Sequence, residues 1–139
     1  MSTGFAGPAR QPPLLDRFSG WLGTFGDAWE AADAQRMSEL FALGASMQPT
    51  PFAELVRGRQ LIGEQWRADL TGLQQVHFRA QVLGAGDTYG VAHFRVSFVA
   101  GEGGPARLRD GVLLAALDER GQCTSMRAWW HETEDAGSG

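Results

Sequence analysis

Residues 89–100 read Tyr-Gly-Val-Ala-His-Phe-Arg-Val-Ser-Phe-Val-Ala, and their alternation decides what kind of chain this is. Ala92, Phe94, Val96 and Phe98 are apolar, while His93, Arg95 and Ser97 between them are polar. Successive side chains of a strand point to opposite sides. One sheet face is therefore apolar here, and the other carries an imidazole, a guanidinium and a hydroxyl. The same period of two continues on both flanks. Val76, Phe78, Ala80 and Val82 alternate with His77, Arg79 and Gln81, and further runs cover residues 107–117 and 122–132. The connectors at 84–87, 101–105 and 118–121 are short and carry Gly, as hairpin turns demand.

Upstream the period is helical. Leu14, Phe18, Trp21, Leu22, Phe25, Trp29 and Ala32 recur at helix spacing behind Pro12 and Pro13. Asp33 is placed to cap a second helix, with Met37, Leu40 and Phe41 on its inner face and Gly44 past its end. Pro49 and Pro51 break regular structure, so residues 47–56 read as a short strand or loop. A third helix starts near Gly58 and Arg59, with Leu61, Ile62, Trp66 and Leu70 as its stripe. Helices followed by an antiparallel meander define an α+β chain. Residues 1–12 read as a loose Gly/Pro/Ala-rich arm, 13–134 as one domain and 135–139 as a disordered tail.

Composition narrows the function classes. A length of 139 residues suits one domain with its own core. The net charge of −4 and the lack of a basic run argue against nucleic acid as a partner. All twelve basic residues are Arg, which removes a lysine Schiff base and a P-loop lysine. One cysteine, Cys123, in an apolar strand, excludes an intramolecular disulfide and reads as packing. Three scattered histidines offer no metal set, and no cofactor motif is present. The start lacks an apolar signal core and no run is long enough for a bilayer, so the expectation is a cytoplasmic protein with no membrane partner. Five Trp and eight Phe exceed what a minimal core needs and suit a pocket for an organic ligand.

This order of elements, with these strings, resembles the nuclear transport factor 2 superfamily and its small SnoaL-like bacterial branch. The matching pieces are Trp29 to Asp33 followed by Leu40-Phe41, then Pro51-Phe52, and Arg57-Gly58-Arg59 leading to Trp66. The last is Asp110-Gly111-Val112, continuing through Asp118, Gly121 and Cys123 to Arg127, Trp129, Trp130 and His131. The resemblance implies a cone of three N-terminal helices packed on a curved antiparallel sheet, a cystatin-like roll. It does not select an activity, because the superfamily holds isomerases, epoxide hydrolases, dehydratases, cyclases and non-catalytic adaptors.

Matched position by position, the family's machineries are incomplete. The Arg-x-Asp of limonene epoxide hydrolases falls on Arg95-Val96-Ser97, and their second Asp on Ala128. A hydroxyl and a methyl cannot activate water as carboxylates do. The ketosteroid isomerase positions fall on Phe25, Pro49 and Leu113. Dehydratases of this fold use paired histidines, and only one is expected to face inward here.

The cavity parity implied by the epoxide hydrolase arginine points His93, Arg95 and Ser97 inward. With them would line a pocket Phe25, Trp29, Phe52, Trp66, Leu113 and Trp130. His93 would act as a base and Arg95 would stabilise negative charge. The counter-charge of Arg95 would be a ligand anion or an acid such as Glu54 or Glu132. Phe94, Phe98, Val112, Leu114, Arg127, Trp129 and His131 would form the outer face, through which relatives pair as homodimers. His77 and Arg79 read as solvent-exposed, and Asp110 as a structural strand-start residue. The leading expectation is a cofactor-independent domain binding a small organic ligand, with isomerisation, cyclisation or dehydration as its chemistry. The alternatives are a non-catalytic dimeric interaction module and an epoxide hydrolase with a non-standard acid.

Overall fold

The computed structural model describes residues 14–135. The arm expected over residues 1–12 lies outside them, as does the tail expected over 135–139 except Asp135, whose backbone N–H donates to Ala106 O at 2.8 Å. Helix α1, Leu14–Glu30, buries Phe18, Trp21, Leu22, Phe25, Ala28 and Trp29 along one stripe, as its spacing predicts. Helix α2, Ala34–Ser38, starts as expected at Asp33, whose carboxylate accepts from the backbone N–H of Arg36 at 3.0 Å. It is shorter than the sequence suggests. Leu40 and Phe41 lie beyond it, and strand β1 already runs over Phe41–Gln48, with Phe41, Ala45 and Met47 buried. A short apolar run satisfies both periods, and the sheet ladder wins.

Strand β2, Val56–Arg57, leads through Gly58 into helix α3, Arg59–Leu70. Gly58 holds φ at 93°, a conformation that side-chain-bearing residues avoid, so this sharp change of direction depends on its lack of a Cβ. Ile62, Trp66 and Leu70 are buried, whereas Leu61 is exposed and does not belong to the stripe. Strands β3, Leu73–Ala85, β4, Tyr89–Ala100, β5, Ala106–Leu117, and β6, Cys123–Glu134, follow as the antiparallel meander. The sheet order is β2-β1-β6-β5-β4-β3, and β1 runs parallel to β6, so one side of the sheet is mixed rather than antiparallel throughout.

The alternation of β4 is as read, but its two faces are exchanged. Ala92, Phe94, Val96 and Phe98 are buried with the helices, while His93, Arg95 and Ser97 point to the other side. The energetics favour this arrangement decisively. Each buried Phe or Val contributes about 1.5–3 kcal/mol. The opposite parity would expose those side chains and bury a guanidinium, at about 3–5 kcal/mol if unpaired. Phe94 and Phe98 are thus core residues rather than parts of an outer interface. On β6 the expected parity holds: Ala128 is buried with the core and Trp130 packs against it, while Arg127 and Trp129 face out.

Candidate functional site

Between α1, α3 and the sheet the interior is a continuous group of aromatic rings. Phe25 meets Trp29, Trp66 and Phe78 edge-on at centroid distances of 5.5, 5.5 and 5.8 Å. Trp29 lies 5.1 Å from Trp66 and 5.7 Å from Phe78, and Phe78 stacks 6.3 Å from Phe94. Helical periodicity on α1 and α3 and strand alternation on β3 and β4 bring these rings to one place. Among the described residues one polar atom in this group is unsatisfied: Trp66 Nε1 is buried with no hydrogen-bond partner there. A buried donor in that state costs about 1–3 kcal/mol. Trp21, by contrast, donates its Nε1–H to Leu40 O at 3.1 Å, and Trp130 donates to Pro49 O at 2.7 Å.

A groove of about 280 Å³ runs along the outside of α1 against β3, lined by Ser19, Gly23, Gly26, Asp27, Glu30 and Phe78 among others. The half-buried Phe78 is therefore both a wall of this groove and a member of the interior ring group. From it, ring contacts lead through Trp29 to Trp66. Glu30 accepts the backbone N–H of Phe78 at 2.8 Å and ties the strand to the helix there. A larger open groove of about 730 Å³ between α2, α3 and β1 is lined by Ser38, Arg57, Arg59, Gln60 and Arg67 among others, and holds none of the catalytic, pocket-lining or interface residues expected from sequence.

The inner face also carries a charged group that sequence reasoning did not assemble. Arg107 and Arg109 both donate to Glu132, at 3.1 Å and 3.0 Å. The Arg109 guanidinium lies 4.0 Å from the Trp130 ring centroid and 5.2 Å from that of Phe98. Burial pushes the Glu132 carboxyl up, but the hydrogen bonds and charges of Arg109 and Arg107 outweigh it and hold it below its usual 4.5. It is an ionised anchor and a poor proton acceptor.

On the outer face, cross-strand register builds a row: Arg79 opposite Arg95, Arg95 opposite Asp110, and Asp110 opposite His131. Asp110 Oδ1 lies 2.9 Å from His93 Nε2, and Asp110 Oδ2 accepts from Arg95 Nε. The His93 contact draws the Asp110 carboxyl below its usual 3.8; burial opposes it and Arg95 reinforces it. The counter-charge of Arg95 is therefore Asp110 rather than Glu54 or Glu132. Pairing β4 with β5 in register would have found it, since the residue opposite Arg95 is an acid.

The remaining expectations divide. Phe25, Trp29, Trp66 and Leu113 are buried in the interior, and Trp130 packs at its edge. Phe52 is fully exposed in the turn after β1 and does not line the interior. His93 and Arg95 are 39% and 59% exposed and cannot serve an interior cavity. Val112, Leu114, Arg127, Trp129 and His131 do lie on the outer face. Cys123 is buried, and burial pushes its thiol up to about 12, which leaves it unreactive. Among the described residues no three His, Cys, Asp or Glu side chains group as metal ligands do, and no helix is long and apolar enough to cross a membrane.

Helices laid in this order against a six-stranded sheet are the nuclear transport factor 2-like fold, and the chain adopts it. It is similar to SalBIII, an epoxide hydrolase/cyclase-like enzyme with a role in pyran ring formation in the polyether salinomycin. The TM-score is 0.75 at 16% identity, over 88% of this chain and 98% of that one. It is also similar to RV0760c from Mycobacterium tuberculosis, with a TM-score of 0.75 at 12% identity over 91% of this chain and 100% of the other. No family model matches the sequence, and no curated protein matches it.

Proposed function

We propose that this chain is a small-molecule-binding domain whose ligand is a compact, ring-bearing apolar molecule with one hydrogen-bond-accepting oxygen. The observation that carries this reading is the Trp66 Nε1–H, buried beside the Phe25 and Trp29 rings with no hydrogen-bond partner among the described residues. A ketone, ether or hydroxyl oxygen would satisfy that donor, and the rings would enclose the hydrocarbon part. The ligand would pass from the α1–β3 groove by displacing Phe78. The likeness to an epoxide hydrolase/cyclase-like enzyme is consistent with oxygenated cyclic ligands. His93 and Arg95 have no part in this reading. Neither does proton transfer by Glu132, which its two arginines hold ionised.

Thermal-shift titration with cyclic ketones and cyclic ethers tests it, with cyclohexane as the control. The ketones and ethers should raise the Tm more than cyclohexane, and Trp66→Phe should abolish the difference. Equal effects of all three, or no effect, would refute the reading.

The second reading, a non-catalytic interaction module, draws on the rings touching one another and on the outer face. Val91, Val112, Leu114 and Trp129 form an apolar strip there, and Trp129 is 38% exposed. Two copies would pair through this strip, with the cationic Arg79–Arg95 end kept off the centre, where like charges would meet. Pairing of this kind is compatible with ligand binding, so the two readings differ only in whether the interior takes an occupant.

A further inference from the structure

We propose that the outer sheet face holds an oxyanion-binding site, centred on Arg79 and Arg95, that takes a phosphate monoester or a similar tetrahedral oxyanion. The site is separate from the aromatic interior and does not rest on the reading above. Strands β3 and β4 pair so that Arg79 stands directly opposite Arg95, and His77 opposite Ser97. Like charges directly across an antiparallel pair repel, and such a pair persists more readily where an anion sits between them.

Asp110 relieves only part of this. It engages Arg95 through Nε and divides its charge with His93. That leaves both terminal amino groups of Arg95 with no side-chain or backbone acceptor among the described residues, and the Arg79 and His77 side chains with none either. Asp110 thereby holds the Arg95 guanidinium through Nε and leaves its two terminal amino groups to grip phosphate oxygens, as arginine forks do.

These groups line one open cleft of about 470 Å³, completed by Leu108 and, at its rim, Asp135. Arg79, Arg95, His77 and Ser97, all among its lining residues, are side chains that can donate hydrogen bonds to an oxyanion. Among the described residues lining the cleft Asp135 is the one carboxylate, and its backbone N–H is bonded to Ala106 O at 2.8 Å. Leu108 offers an apolar wall for the organic part of a monoester.

The test follows the His77 imidazole by NMR while inorganic phosphate is titrated into the intact protein at pH 7. Sodium chloride at equal ionic strength is the control. The site predicts a saturable His77 shift with phosphate alone. Arg79→Gln and Arg95→Gln should each weaken the response about tenfold, the size of one lost charge-assisted hydrogen bond. Arg67→Gln, which removes the same charge from α3, should leave it unchanged. If Arg95→Gln disturbs the sheet, the exposed Arg79→Gln decides alone. A shift that chloride reproduces, or one that fails to saturate, would reduce the cleft to solvated surface charge. So would an Arg79→Gln protein that binds phosphate as the parent does.

Discussion

Gly26→Ala and Gly20→Ala separate a wedged Phe78 from a merely adjacent one. Both glycines lie inside α1, so either substitution relieves about 1 kcal/mol of glycine's helix penalty. A Cβ at Gly20 meets nothing within 4 Å. At Gly26 it would stand 2.4 Å from Phe78 Cδ1 and 3.2 Å from Cγ. Phe78 cannot retreat inward, because Phe25, Trp29 and Phe94 hold it at centroid distances of 5.8, 5.7 and 6.3 Å. Overpacking of this kind costs about 1–3 kcal/mol. Gly26→Ala should therefore fall between level with the parent and about 2 kcal/mol below it, while Gly20→Ala gains up to about 1 kcal/mol. Urea midpoints at unchanged m measure the difference, which should be about 1–3 kcal/mol between the two variants. Because Phe78 is also the proposed way in, Gly26→Ala should blunt the thermal response to cyclic ketones and Gly20→Ala should preserve it. Equal stability of the two variants, with equal ligand response, would refute both the wedge and the route.

Three further outcomes are expected. Glu132 and Asp110 both have carboxyls lowered on folding, so each contributes stability that is full above 4.5 and 3.8 and is lost as pH falls through its depressed native value. The stability gap between the parent and Glu132→Gln or Asp110→Asn should accordingly shrink on acidification, in urea melts at stepped pH. The Asp110 gap should be the smaller, since its side chain is 37% exposed and screened by water. Gly111→Ala should cost about 3 kcal/mol or more, because its Cβ would lie 2.0 Å from Trp129 O, a backbone atom with nowhere to go; thermal melts read this directly. On the pairing proposed for the outer strip, the parent should give a dimer in native mass spectra and Val112→Glu a monomer with little change in Tm, since Val112 lies on the outer face rather than in the core.

The sequence carried the order of the three helices and the final four-strand meander, three of those strands to within a residue or two, and the interior rings of α1 and α3, but not strand β1 over Phe41–Gln48. Those signals are local: period, cap and turn chemistry. The second helix was overread because Met37, Leu40 and Phe41 fit a helical stripe and a helix-to-strand junction equally well, and only pairing with β6 settles it. The candidate site was misread for a different reason. Alternation along β4 states that two faces exist but not which one the helices cover. Orienting it by one matched arginine outweighed the stronger local fact that four apolar residues occupy the other parity. Asp110 reads by its parity as a structural strand-start residue, because its partners Arg95 and His93 lie on another strand and register is a property of two strands together. The Arg107–Arg109–Glu132 group and the orphaned Trp66 donor are tertiary facts with no sequence signal of their own.

The most direct test observes the Trp66 indole N–H itself, by ¹H–¹⁵N correlation spectra assigned through its loss in Trp66→Phe. In the free protein this proton should resonate upfield, as an unbonded indole N–H does, and exchange slowly. Saturating cyclic ketone should move it downfield, while the Trp21 and Trp130 signals, already bonded to backbone carbonyls, stay in place. A Trp66 signal that is unmoved while the ligand shifts other residues would contradict the account.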